Sequence, residues 1–406
     1  MSRAARRNLC TLALTLLLLK STWFSASAVI PQLRAEWGLS AGAAGWLTIC
    51  VQWGFVAGAL VSAATSLPDR MAPVRLIFVS ALGAAVANAA LLAADGVVVA
   101  SMVRFATGFF IAGVYPPALK LVATWYRTGL GAAMGLLVGA LTVSSGAPHL
   151  VNGLGGLDWH TVIWATSVLT ALGGTIVVVA VREGPYPFPR ARLEPRLVGR
   201  LLADRGTRLA VVGYLCHMWE LYAMWSWFLL FYSAALRPRG LDDSALAAYV
   251  TFAVFVAGGV GNYVGGVLGD RFGRERAAIW MMAGSAACAL LIGSLLHAPP
   301  WVLALAGLLW GFTVVADSPQ FSALVTELAD QRLVGSALTV QMACGFTLTG
   351  VTIWLVPAAA DAVGWQWAFT VLAPGPLCGI VAMRLLTRHR GAPPPPPGRG
   401  AAGVGT

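Results

Sequence analysis

Apolar residues in this chain come in runs of about 20, the length at which a helix crosses a bilayer core, and short polar stretches separate the runs. The pattern predicts about twelve spans. Spans 1 to 6 cover residues 9–31, 42–67, 75–94, 97–120, 129–152 and 160–181. Spans 7 to 12 cover 208–235, 245–268, 277–297, 301–326, 335–358 and 365–386. Each has to be helical, because hydrocarbon offers no partner to an unpaired backbone amide or carbonyl. The expected fold is an all-α membrane protein with an N-terminal six-helix bundle (1–181) and a C-terminal one (208–386). A basic linker over 182–207, with four prolines, separates them and suits a surface of anionic lipid heads. The Pro/Gly-rich tail over 387–406 is low-complexity and is expected to be disordered.

Composition agrees with this. The 406 residues are 58% hydrophobic and 11% charged, with mean hydropathy +0.76, whereas a soluble domain carries about 25% charged residues. The net charge of +11 would suggest nucleic acid in a soluble protein, but its placement says otherwise. With the N-terminus inside, the inner segments hold 22 of the 27 basic residues and the outer loops only Arg34, Arg237 and Arg239. Lys20 and Arg104 lie within spans. This asymmetry orients membrane proteins and predicts cytoplasmic termini, a lipid bilayer as surroundings and no nucleic-acid partner. All basic residues but Lys20 and Lys120 are arginines, which points to a GC-rich bacterial genome and an inner (plasma) membrane. Arg3, Arg6 and Arg7 ahead of an apolar run, with Ser25-Ala26-Ser27-Ala28 after it, also fit a cleaved leader. Lys20 within the run and its continuation to Ile30 favour a retained first span. The six cysteines form no Cys-x-x-Cys pair, so neither a metal site nor a disulfide is expected, and no cofactor is implied.

The halves repeat one another. Gly266-Val-Leu268-Gly-Asp270-Arg271-Phe-Gly273-Arg274 joins spans 8 and 9, and Thr65-Ser-Leu67-Pro-Asp69-Arg70-Met-Ala72-Pro73 joins spans 2 and 3. Gly108-Phe109, Pro116 and Leu121-Val122 in span 4 recur 203 positions later as Gly311-Phe312, Pro319 and Leu324-Val325 in span 10. Two parallel, pseudo-symmetric six-helix halves explain both echoes. Gly-x-Leu-x-Asp-Arg-x-Gly-Arg at such a loop resembles motif A of the major facilitator superfamily, and Arg104-x-x-x-Gly108 resembles that family's span-4 motif. The first-half copy of motif A departs from the pattern: it lacks the opening glycine and has Ala72 for the second one.

The resemblance implies a secondary transporter in which the two bundles rock about a central site, reached from one side at a time, that can work as a monomer. It also implies a gating role for Asp69, Arg70, Gly266, Asp270, Arg271, Gly273 and Arg274. Asp69 would cap span 11 and Asp270 span 5, an anion being favoured at a positive helix end; alternatively these loops only fix a tight turn. Gly146-Ala147-Pro148 lacks the adjacent Gly-Pro of the family's antiporter motif, so antiport is not inferred. Nitrate porters of the superfamily resemble a design with arginines in spans 2 and 8. Neither span here has a basic residue, which argues against nitrate.

Ionisable groups at membrane depth are costly and usually serve a pathway. Lys20, Arg104, Glu220 and Asp317 lie in spans 1, 4, 7 and 10, the spans that line the central cavity in the resembled fold. His217 and Glu220, three apart, share a helix face. A shielded carboxylate beside an imidazole can exchange a proton near neutral pH, so Glu220 is expected to carry a coupling proton and His217 to tune it. The competing expectation is a structural pair of Glu220 with Lys20 or Arg104. Lys20 and Arg104 would favour an organic anion or a zwitterion as the small-molecule substrate, unless they pair with Asp317 and Glu220. A facilitative uniporter or a transporter-derived sensor is the alternative. No His-x-x-Glu-His, Gly-x-Ser-x-Gly or P-loop pattern is present, so an enzyme is not expected.

Overall fold

The computed structural model describes residues 3–65, 67–126, 130–154, 158–186, 203–241, 244–329 and 334–391. Residues 187–202 of the expected linker and 392–406 of the expected tail lie outside the described residues. Among those described, the regular elements are all helical. The first half comprises α1 (Arg3–Leu19), α2 (Ile30–Trp37), α3 (Ala41–Ala64), α4 (Leu67–Arg70), α5 (Pro73–Ala89), α6 (Val97–Ile111), α7 (Tyr115–Ala123), α8 (Leu130–Gly153) and α9 (Trp159–Ala180). The second comprises α10 (Arg205–Leu236), α11 (Ser244–Phe272), α12 (Arg274–Leu291), α13 (Pro300–Ala316), α14 (Ser318–Leu328), α15 (Val334–Val363), α16 (Trp365–Ala368) and α17 (Pro374–Gly391). Among the described residues, ten segments are long and apolar enough to cross a membrane. Span 1, built from α1, a turn segment and α2, and span 7, built from α10, complete a fold of twelve membrane helices in two six-helix halves.

Spans 1, 4 and 10 are broken, each for a local reason, and span 12 divides between α16 and α17. Span 4 divides between α6 and α7 just before Pro116-Pro117, and span 10 divides between α13 and α14 at Asp317, two residues before Pro319. Proline has no N–H to continue the ladder. The break at Val114 and the break at Asp317 are again 203 apart. Span 1 has no such counterpart. Its α-helix stops at Leu19, and Lys20 to Ala26 run as turns before helix resumes. Serines favour this: Ser21 Oγ donates to Leu18 O (2.7 Å) and Ser25 Oγ to Thr22 O (3.0 Å), competing with the helical bonds. Its symmetry partner, α10, is a continuous helix of 32 residues.

Close helix approach within each half is made by glycines four apart. A Cβ on Gly54 or Gly58 of α3 would collide with the carbonyl of Phe105 or Phe109 of α6, and one on Gly261 or Gly265 of α11 with that of Phe312 or Ala316 of span 10. Small residues let backbones touch where the hydrophobic effect gives helices no reason to associate. Gly265→Ala is expected to destabilise the protein by about 1–3 kcal/mol through overpacking. Gly266→Ala, where added carbon meets open space, is expected to be neutral or slightly stabilising. Thermal unfolding of the two purified variants reads the difference; equal midpoints would refute the contact.

The halves meet along α8 with α11 and along α3 with α15. Asn262 Nδ2 donates to Thr142 Oγ1 (2.9 Å) and Trp53 Nε1 to Thr347 O (3.4 Å) across this seam. Between them spans 1 and 7 meet through a buried aromatic cluster. Trp23 packs on Tyr222 (5.9 Å between centroids) and Phe346 (5.7 Å), Phe24 on Trp225 (6.0 Å) and Phe255 (5.6 Å), and Phe55 on Phe346 (4.6 Å).

Candidate functional site

The five in-span residues expected to share one cavity fall into three places. In the second half, α10 carries Glu220 and His217 inward, both 2% exposed. Ser285 Oγ of α12 donates to Glu220 Oε1 at 2.8 Å, and Trp310 Nε1 of α13 donates to the same oxygen at 2.6 Å. No cation lies within ion-pairing distance of Glu220 among the described residues, so the expected pair with Lys20 or Arg104 is not formed. His217 faces Asp317 instead, Nδ1 to Oδ1 2.8 Å, with both side chains buried. Asp317 occupies the break between α13 and α14, which brings it to α10. Phe321 and Tyr214 flank the imidazole at 5.7 and 6.1 Å. Two neutral donors and an imidazole thus stand against two carboxyl groups within one half.

Arg104 departs from expectation. It is fully buried within the first half, not at the junction of halves. Its Nη1 donates to Thr22 O (2.9 Å), Ser25 Oγ (3.1 Å) and Asn88 Oδ1 (3.0 Å), its Nη2 to Trp23 O (2.5 Å) and its Nε to Leu47 O (3.3 Å). The reason is the turn segment of span 1, whose carbonyls have lost their helical donors and have no water to turn to. The fork of the guanidinium meets several of them at once. Asn88 extends the knot, its Nδ2 donating to Ser167 Oγ (2.9 Å) and Thr166 Oγ1 (3.2 Å) of α9.

Lys20 stands at the junction, half-buried, where the helix of span 1 ends. Its Nζ is 4.5 Å from the centroid of Trp23 and 5.9 Å from that of Tyr222. No acidic side chain lies within ion-pairing distance among the described residues.

The motif residues lie on the face that carries the ends of α1 and α17. Gly273 turns α11 into α12 with φ +94°, a conformation that only glycine adopts without strain. Arg274 Nε is 2.5 Å from Glu327 at the end of span 10, and Asp270 Oδ1, largely exposed, is 3.6 Å from Arg274 Nη1. Arg390 of α17 reaches Glu275 at 2.7 Å, and Arg271 lies over Phe272 at 5.2 Å. Gly266 is in α11 with open space beside it, Arg70 ends α4 in an exposed position, and the side chain of Asp69 lies outside the described residues.

Sequence reading missed Ser285, Trp310 and Asn88, ordinary residues whose importance comes from what they face. Gly54-x-x-x-Gly58 and Gly261-x-x-x-Gly265 carried a signal in their spacing. The same spacing recurs in span 5, where Gly139 meets the other half at Gly259 and Gly135 has open space beside it.

A family model described as Major Facilitator Superfamily matches residues 12–237 and again 221–405. The chain belongs to this superfamily. As a member it is a multi-pass membrane transporter of a small solute. Among solved structures, a bacterial homologue of the human lysosomal transporter Spinster, inward-facing and occupied, superposes with TM-score 0.72 at 14% identity, over 96% of this chain and 98% of that one. The same kind of protein in an inward-facing, unoccupied state gives 0.65 at 15% identity, over 96% of each chain. At that identity the likeness shows the fold alone. No curated protein matches the chain.

Proposed function

We propose that this superfamily member is a proton-coupled secondary transporter that moves its solute by alternating access. The observation that carries the reading is Glu220, a carboxyl group at membrane depth held by two neutral donors and no cation. Such a group can load and release a proton without a partner cation having to swing away, which is how carboxylates serve proton relays in pumps and transporters. His217, one turn away and against Asp317, tunes the site. Motif residues Asp69, Arg70, Gly266, Asp270, Arg271, Gly273 and Arg274 form the gate of the terminal face, and the arginine asymmetry makes that face cytoplasmic in a bacterial inner membrane. The aromatic cluster that joins the halves, together with the likeness to two inward-facing structures, supports a state closed to the outside. The protein works as a monomer.

The test is proton movement in proteoliposomes under an imposed pH gradient, with a panel of small organic anions, amino acids and drugs. Saturable, compound-dependent proton flux is expected for one class. Saturable solute flux indifferent to the gradient would make the protein a uniporter, and compound binding without any flux would make it a sensor.

A further inference from the structure

We propose that Lys20, with Trp23 and Tyr222, forms a subsite for one carboxylate of a monoanionic substrate that has an aromatic body; this rests on the transporter reading and narrows its substrate. Charges inside the membrane need partners there. Among the described residues, two cations and two carboxyl groups lie deep within spans: Lys20, Arg104, Glu220 and Asp317. Arg104 is committed to the carbonyls and hydroxyls of span 1 and to Asn88. Asp317 is against His217, and Glu220 accepts from Ser285 and Trp310. Of the four, only Lys20 has neither a hydrogen-bond nor an ion-pair partner among the described side chains, its neighbours being the rings of Trp23 and Tyr222. It stands at the junction of the halves, where a transported molecule has to pass, and keeps partial exposure there.

A lone ammonium at that depth calls for an anion, and none of the described side chains supplies it. One positive charge matches one negative charge, which sets a monocarboxylate apart from a dicarboxylate. A zwitterion or a cation is disfavoured because Asp317 is against His217 and Glu220, on the transporter reading, carries the proton, which leaves neither for an ammonium group. The walls set the rest of the ligand. Trp23 and Tyr222 stand within 6 Å of the ammonium, and Phe55 and Phe346 back them. Trp23 is fully buried, and its Nε1 has no acceptor among the described residues. Flat, apolar walls with an orphan N–H donor beside a cation accept an aromatic ring bearing a carboxylate.

Four probes with one benzyl-type body separate the charge classes: phenylacetate (monoanion), phenylmalonate (dianion), phenylalanine (zwitterion) and phenethylamine (cation). Binding to the purified full-length protein is read by calorimetry and thermal shift in nanodiscs, with no gradient. Phenylacetate is expected to bind in preference to the other three. Lys20→Gln is expected to weaken it about 30-fold or more, as loss of one partner of a desolvated charge pair does. Lys20→Arg is expected to retain it within a few-fold. Equal or tighter binding of phenylalanine or phenethylamine would overturn the proposal. So would unchanged affinity in Lys20→Gln, or no binding of any probe by protein that unfolds cooperatively. Because binding is read without a gradient, its failure is distinct from a failure of proton coupling, which shows only as lost flux in liposomes with binding intact.

Discussion

In Glu220→Gln protein, uphill accumulation driven by a pH gradient is expected to collapse to the equilibrium ratio, while substrate exchange between equally loaded compartments continues. Glutamine has the shape of the protonated acid. Its carbonyl oxygen can still accept from Ser285 Oγ and Trp310 Nε1, which reach the native oxygen at 2.8 and 2.6 Å. Packing around α10 is therefore retained, and what is removed is the capacity to exchange a proton. The measurement is radiolabelled uptake in proteoliposomes, with and without a gradient, alongside counterflow. Accumulation above equilibrium in the variant would end the coupling role of Glu220 and move attention to His217 and Asp317. Loss of counterflow as well would mean that the residue holds the fold, and rescue by Glu220→Asp would then be absent.

Arg104→Met is expected to lose stability before it loses any transport property. The substitution fills a similar volume but leaves Trp23 O, at the turn segment of span 1, without the donor that reaches it at 2.5 Å, and leaves Thr22 O with Ser25 Oγ as its side-chain donor. A buried acceptor left unsatisfied costs about 1–3 kcal/mol, and the loss of the other hydrogen bonds of the guanidinium adds to it, against a typical total of about 5–15 kcal/mol. Arg104→Lys is expected to rescue little, since one ammonium cannot reproduce a fork that meets five acceptors. Thermal unfolding and the yield of monodisperse protein check this. A variant as stable as the wild type, with weakened anion binding, would return Arg104 to the substrate path.

What the sequence disclosed was set by range. Span length and the doubled half were legible because each depends on residues close in the chain or on a repeat read at fixed offset. Glu220 and Asp317 stood out because an acid in an apolar run is rare. Their partners did not. His217 is three residues from Glu220, which suggested that the two act on each other, but the imidazole meets Asp317, 100 positions away, at 2.8 Å. Arg104 was misjudged for a related reason. Its surroundings depend on the uncoiling of Lys20 to Ala26, and Ser21 and Ser25, which favour that uncoiling, looked like part of an ordinary apolar helix. Side-chain pairing across helices has no one-dimensional trace, so the site was legible as a set of residues and not as an arrangement.

The unequal sharing of charge between the halves has a mechanical consequence. Lys20 and Arg104 belong to the first half, Glu220 and Asp317 to the second, so when these four groups are charged the buried charge is positive on one side of the seam and negative on the other. In a medium of low permittivity such charges act on one another over many ångströms. Any motion that parts or closes the seam then does electrical work, and the amount depends on what is loaded. An anion seated at Lys20 cancels one pole, and a proton on Glu220 weakens the other. Occupancy would thus set the stiffness of the joint itself, so that a half-loaded molecule meets a different barrier from an empty or a full one.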